Sequence, residues 1–196
     1  MVALRPYRAG DLDALYDICL RTGASGQDTS ELHNDPQLLG HIYSAPYGVI
    51  EPENVFVAED DEGVAGYVVG THDTDRFAKR LEKDWWPALR ARYAGATGLT
   101  DADQRRLDAI IQPHHSPADL VEDYPAHIHM NLLPRLRGQR VGTRLLDLWV
   151  AQAREAGVKG IHLGAGAANH GGIAFWGKNF EELRRDNGTV WFGMGL

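Results

Sequence analysis

The 196-residue chain has a single cysteine, Cys19. That excludes an intramolecular disulfide framework and any metal site built from clustered cysteines. The thiol lies in an apolar helical stretch and reads as core rather than as a nucleophile. Lysine is scarce, at positions 79, 83, 159 and 178 only. Positive charge as a whole is short: Lys+Arg 20 against Asp+Glu 27 leaves a net charge of −7. Such a balance argues against a general nucleic-acid binder, whose surface is basic, but leaves room for one local basic site. No apolar run approaches the roughly 20 residues of a membrane-spanning helix. The opening Met1-Val-Ala-Leu-Arg-Pro-Tyr lacks a signal-peptide core. The expectation is a soluble, cytoplasmic chain with no membrane or nucleic-acid partner. Repeats and low-complexity tracts are also lacking.

What is present is ordinary globular composition, 43% hydrophobic and 24% charged. A chain of this length buries about 70% of its unfolded surface, enough for one full core, and one domain over 1–196 is expected. Val2–Arg5 reads as a strand closed by Pro6. Asp11 reads as the N-cap of a helix over 12–21 with Leu12, Leu15, Tyr16 and Cys19 on one face. Asp35-Pro36 starts a short helix with Leu38, Leu39, Ile42 and Tyr43 as its apolar side. An irregular link is expected between Pro46 and Pro52. Val55–Ala58 and Gly63–Gly70 form a hairpin around an acidic turn. A helical stretch over 75–93 is interrupted at Pro87, and Thr100 opens a helix striped by Leu107, Ile110 and Ile111. Residues 112–123 read as loop. Residues 126–133 alternate as a strand, with His127, His129 and Asn131 on one face. A polar loop then enters a helix reaching about Ala156, with Leu145, Leu148, Trp149 and Ala156 as its apolar side. A strand over 160–164, a helix over 169–179 and a last strand over 190–192 complete an α+β pattern.

The strongest chemical signal is Leu132-Leu-Pro-Arg-Leu-Arg-Gly-Gln-Arg-Val-Gly-Thr-Arg144. A strand ends, the chain turns, and a helix starts with Gly138 and Gly142 at the turn. Unpaired amides near 138–143 and the helix dipole make such a start an anion site, and small residues let a diphosphate approach the backbone. Arg135, Arg137, Arg140 and Arg144 gather there with no acid between them. The competing reading is a plain helix start with exposed arginines.

These residues resemble the GNAT superfamily of acetyl-CoA-dependent N-acetyltransferases. The family loop Gln/Arg-x-x-Gly-x-Gly/Ala stands here as Arg137-Gly-Gln-Arg140-Val-Gly142, with Arg140 where the first motif glycine is usual. Val64-Ala-Gly-Tyr-Val-Val69 resembles the family's third strand. Asn169 followed by Ala174-Phe-Trp-Gly-Lys-Asn-Phe180 resembles its Asn…Ala…Phe-Tyr-x-Lys-x-Gly-Phe helix. Leu39-Gly-His-Ile-Tyr-Ser-Ala-Pro-Tyr47, Asp84-Trp-Trp-Pro87 and Tyr124-Pro-Ala-His-Ile-His129 resemble bacterial relatives of the acetyltransferase-like C-terminal domain of O-GlcNAcase.

The resemblance implies a mixed, mostly antiparallel sheet with splayed fourth and fifth strands and flanking helices. A helical insertion over about 71–123 would lie between the third and fourth strands and choose the acceptor. By carry-over, Leu132 and Leu133 bond the pantetheine arm, Gly138, Gln139, Arg140, Val141, Gly142 and Thr143 with Arg137 hold the pyrophosphate, Asn169 bonds the pantetheine, and Phe175 and Trp176 lie beside the arm or the thioester. Acetyl-CoA would be the co-substrate, with no metal, and the acceptor a primary amine of a small molecule or a protein lysine. A homodimer stays open. The family often protonates the leaving thiolate with a tyrosine at the position of Trp176, and indole N–H is not a usable acid.

A base must take the amine proton, and His127 and His129 are the catalytic candidates because imidazole titrates near neutrality. The competing reading makes both structural, and Glu122 and Asp123 are weaker candidates. Asn131, sharing the histidine face, cannot act as a base. His127-x-His129 lacks a third zinc ligand at motif spacing. Gly164-Ala-Gly166-Ala-Ala-Asn169 lacks the third glycine of a dinucleotide fingerprint. His114 and His115 diverge on any regular element. Trp85 and Trp86 read either as an acceptor-pocket wall or, the commoner case, as core. The alternative to an enzyme is a catalytically weak or inactive acetyl-CoA-binding sensor or interaction module on the same fold, motivated by Trp176, Arg140 and Asn131.

Overall fold

Alternating apolar residues between turn formers become strands, and stretches of helical period become the layers that cover them. The computed structural model describes residues 1–196. The strands are β1 Ala3–Pro6, β2 Phe56–Asp60, β3 Gly63–Thr71, β4 Ala126–Leu132, β5 Gly160–Gly166, β6 Glu181–Asp186 and β7 Thr189–Gly195. They form one sheet in the order β1-β2-β3-β4-β5-β7-β6. Every pair is antiparallel except β4–β5, which is parallel.

The helices are α1 Leu12–Leu20, α2 Leu38–Tyr43, α3 Ala45–Ile50, α4 Thr74–Arg80, α5 Trp86–Tyr93, α6 Asp101–Ile111, α7 Ala118–Asp123, α8 Val141–Glu155 and α9 His170–Trp176. The expected mixed α+β sheet with helices between the third and fourth strands is what the chain forms. No helix is long and apolar enough to cross a membrane.

The main core lies between the sheet and its flanking helices. Trp149, Tyr67, Phe77 and Phe192 are its largest fully buried side chains, each contributing on the order of 2–3 kcal/mol by leaving water. Trp149 also donates its indole N–H to the Asn54 carbonyl at 2.9 Å. A second cluster of Leu38, Trp86, Leu89, Tyr93, Leu107 and Ile110 fastens α5 and α6 to α2. Polar ties reinforce it: Tyr93 donates to Asp35 at 2.8 Å, Trp85 to the His41 carbonyl at 2.9 Å, and His33 meets Asp103 at 2.7 Å. The segment between β3 and β4 is therefore held against residues 33–43, beside the split in the sheet.

Several local expectations change. Asp11 holds the N-cap position of α1, but its side chain makes no cap bond there; Arg5 grips its carboxylate at 2.7 and 2.8 Å, and the Arg8 amide adds a third bond at 2.7 Å. The stretch after Pro46 is α3, with the proline in the first turn, where its missing N–H costs nothing. Residues 118–123 form α7 instead of loop. On α8 the buried stripe is Leu145, Leu146, Trp149, Val150 and Ala153, while Leu148 and Ala156 face solvent. Ile111, at the end of α6, is also exposed. β6 was not expected at all: Glu181-Glu-Leu-Arg-Arg-Asp186 is a charged edge strand, which carries little of the apolar alternation that marks an inner one.

Candidate functional site

β4 and β5 pair only at Ala126↔Ile161 and His127↔His162. Beyond that point β4 stays with β3 and β5 with β7. The split opens a cleft of about 780 Å³. Leu133 donates its amide to the Ala65 carbonyl at 2.8 Å, and its carbonyl accepts from Leu136 at 3.0 Å. Both of its main-chain groups are used, and its side chain is in the core. Because bonded and non-bonded pairs alternate in an antiparallel ladder, the amides and carbonyls of Leu132 and Met130 point away from β3, into the split. Of the expected pair Leu132 and Leu133, Leu133 therefore has no main-chain group left for a ligand, whereas those of Leu132 and Met130 face the split.

At the start of α8 the backbone amides of residues 138–143 donate no hydrogen bond within the chain. Gly138 has φ +75° and Arg140 φ +58°. Arg140 thus keeps the left-handed backbone that suits glycine, at a cost of about 1 kcal/mol. Gly142 packs closely, since a Cβ there would lie 3.3 Å from the Phe175 ring, which would have to shift slightly.

The four arginines do not act together. Arg135 is held by Asp60 at 2.7 and 3.2 Å, which removes it from the anion site. Arg137 lines the cleft but binds the Gly26 carbonyl and, at 3.4 Å, that of Leu132. Gln139 turns back to the Arg135 carbonyl at 2.6 Å. Val141 is buried, so its amide is all that it can offer a ligand; Thr143 is half-buried. Arg140 and Arg144 remain exposed without an acidic partner.

α9 forms the facing wall. Asn169 accepts from the Gly172 amide at 2.9 Å, capping the helix, and lines the cleft. Phe175 and Trp176 line it too, their rings edge-on with centroids 4.9 Å apart. Trp176 is mostly buried and also meets Phe180 edge-on.

On the other side of the split lies a second cavity of about 800 Å³, roofed by helices of the segment between β3 and β4. His127, His129, His162, His114 and His115 all line it; the two adjacent histidines lie in irregular chain between α6 and α7, on no regular element. Trp86, a buried member of the second cluster, lines it as well, whereas Trp85 is half-buried against that cluster and lines neither cavity. Glu122 and Asp123 are exposed and line neither cavity.

Two strand neighbours that look equivalent in sequence differ here. Thr74 donates to the Pro125 carbonyl at 2.7 Å and accepts from His127 Nδ1 at 2.8 Å. His127 Nε2 accepts from the Tyr47 hydroxyl at 2.7 Å. His127 is therefore a neutral ring with no free nitrogen, and burial holds its pKa well below the usual value. It does not fit the expected role of a base. The nitrogens of His129 have no partner in the chain and open to cavity space. Burial, with His162 nearby, lowers its pKa to about 4, so it stays neutral at pH 7.

His162, buried beside His127, bonds the Tyr124 carbonyl at 2.6 Å and Ser116 at 2.8 Å. Asn131 is held at both ends, accepting from Tyr67 at 3.2 Å and donating to Thr22 at 2.5 Å. No group of three or more His, Cys, Asp or Glu side chains is placed to hold a metal ion. The sequence reading missed Tyr43, Tyr47 and His162; the first two lie on α2 and α3, in the Leu39–Tyr47 segment it singled out for other reasons.

The family model for the acetyltransferase (GNAT) family matches residues 28–180. Protein O-GlcNAcase of Rattus norvegicus is 23% identical over 160 residues, which are 80% of this chain and 17% of that protein. The chain thus spans about a sixth of the length of the curated relatives it matches. The crystal structure of SsHAT superposes with a TM-score of 0.84 at 32% identity, covering 99% of this chain and 98% of that one. The PaiA N-acetyltransferase of Thermoplasma acidophilum, solved in complex with coenzyme A, shares the fold at 13% identity, with a TM-score of 0.60 over 100% of this chain and 99% of that one.

Proposed function

This chain belongs to the acetyltransferase (GNAT) family, and on that premise we propose that it moves an acetyl group from acetyl-CoA to a primary amine by direct attack. The observation that carries the reading is the meeting of two cavities at His129. One has free strand and helix amides for a pantetheine diphosphate, and the other lies under the insertion.

Met130 and Leu132 offer their main-chain groups to the amides of the pantetheine arm. The free amides at 138–143 take the pyrophosphate at the helix N-terminus, with Arg140 and Arg144 adding charge. Asn169, Phe175 and Trp176 form the facing wall. The acceptor amine enters through the second cavity, and its nitrogen attacks the thioester carbonyl. His129 takes the proton that the nitrogen sheds as the C–N bond forms and the C–S bond breaks.

The test is transfer of labelled acetyl from acetyl-CoA to a panel of small primary amines and lysine peptides. Transfer well above thioester hydrolysis supports the enzyme. Tight acetyl-CoA binding with no transfer supports the second reading, a coenzyme-binding module, which Trp176 favours by placing a non-acidic ring where the family often carries a tyrosine.

A further inference from the structure

Six residues line both cavities: Tyr43, Ile128, His129, Leu163, Gly164 and Gly166. Any reaction between a molecule in one cavity and a molecule in the other takes place among them. Only Tyr43 and His129 carry groups that exchange protons. Their rings meet edge-on, with centroids 6.0 Å apart. Tyr43 is the last residue of α2, so the phenol projects from the helix end that the insertion clamps in place.

The oxygen of Tyr43 is prepared in a specific way. Arg106, reaching over from α6, donates from one terminal nitrogen to Oη at 3.3 Å, and its guanidinium carbon lies 5.9 Å from the ring centre. The hydroxyl proton of Tyr43 goes to no group of the chain, unlike that of Tyr47, which His127 accepts. A positive charge thus sits beside an oxygen whose proton is committed to no group of the chain. Arg106 itself lines the coenzyme-side cleft, and its Nε is buried without a partner. Cys19 also borders that cleft, but it is nearly fully buried and absent from the shared junction.

We infer that Tyr43, positioned by Arg106, is the acid that protonates the departing coenzyme A thiolate, the task for which Trp176 is unfit. The inference rests on the acetyl-transfer reading above. As the C–S bond breaks, its electron pair passes to sulfur, which takes the hydroxyl proton of Tyr43. The phenolate left behind recovers a proton from the His129 imidazolium, directly or through water. The sum is amine plus thioester giving amide plus thiol, with both side chains returned to their starting states. Arg106 acts through Tyr43 and is a positioning residue.

The test compares wild type with Tyr43→Phe, which keeps the ring and removes only Oη, and with Arg106→Gln. Each is checked for folding by circular dichroism. Two acetyl donors are used: acetyl-CoA and S-(4-nitrophenyl) thioacetate, whose aryl thiolate leaves without protonation. With acetyl-CoA, Tyr43→Phe is expected to lower kcat about 10- to 100-fold with KM for acetyl-CoA within about twofold, and Arg106→Gln to lower kcat by a smaller factor. With the aryl thioester, Tyr43→Phe is expected to match wild type within about threefold. A Tyr43→Phe enzyme as fast as wild type with acetyl-CoA overturns the assignment, as does an equal loss with both donors. If wild type itself transfers nothing from acetyl-CoA, the underlying reading fails and the assignment with it. A defect confined to the variant leaves that reading standing.

Discussion

Tyr47 donates its hydroxyl to His127 Nε2 at 2.7 Å, and this bond separates two histidines that lie on the same strand face. With Thr74 on its other nitrogen, His127 is closed to substrate, while His129 is open. Replacing His129 with Gln is therefore expected to lower kcat about 100-fold or more without loss of acetyl-CoA affinity. Replacing His127 with Ala leaves Tyr47 and Thr74 without their partner and is expected to cost about 1–3 kcal/mol of stability. The activity of the molecules that remain folded should change little. Steady-state kinetics alongside urea denaturation checks both.

Arg140 gives a substitution with two opposed effects. Arg140→Gly relieves a positive-φ non-glycine residue and is expected to stabilise the fold by about 0.5–1 kcal/mol. The same change removes one of the two arginines without an acidic partner at the start of α8, and acetyl-CoA affinity should fall about fivefold. A higher urea midpoint with a weaker Kd is the expected pair of results.

Arg135 and Arg144 look interchangeable in sequence but not in the fold. Arg135 is bound to Asp60, so Arg135→Ala is expected to leave acetyl-CoA affinity within about twofold. Arg144→Ala, removing an arginine free of acidic partners, is expected to weaken it about fivefold and to lessen its salt dependence. Calorimetric titrations at two salt concentrations distinguish the two.

Acid should destabilise the fold through buried histidines. His41 and His129 titrate at about 4, and His127 and His162 are also lowered, chiefly by burial. In the unfolded chain histidine titrates near 6.5. Between these values the unfolded state binds more protons, so stability rises with pH there. The contribution is complete above about pH 6.5 and is lost as pH falls toward 4. For the well-buried His41 alone the loss by pH 5 is on the order of 2 kcal/mol. Urea midpoints measured at pH 7 and pH 5 should differ accordingly, and His41→Phe should shrink the difference.

Much of the site is local in sequence and was legible there. The turn from β4 into α8, the free amides at 138–143, and the Asn169 helix each occupy a short stretch with a recognisable pattern. What escaped depends on partners far away along the chain. Asp60 neutralises Arg135 from a β2 position, and Tyr47 occupies His127 from α3. No periodicity reveals either pairing. Leu133 was misjudged because the parity of a strand ladder is fixed by its partner strand, here through Ala65. β6 escaped because a charged edge strand is exposed and need not alternate. Tyr43 was read as helix apolar face, since its second role arises only when α6 brings Arg106 across.

The central claim is that acetyl-CoA sits in the cleft between β4 and β5 with its pyrophosphate on the start of α8. Calorimetric titration of acetyl-CoA into wild type and into the Arg140→Glu/Arg144→Glu double variant tests it most directly. The account predicts one site per chain with Kd of tens of micromolar or tighter (about −6 kcal/mol or stronger), weakened at least about tenfold by the charge reversal. No binding to wild type, or equal binding to both proteins, would contradict it.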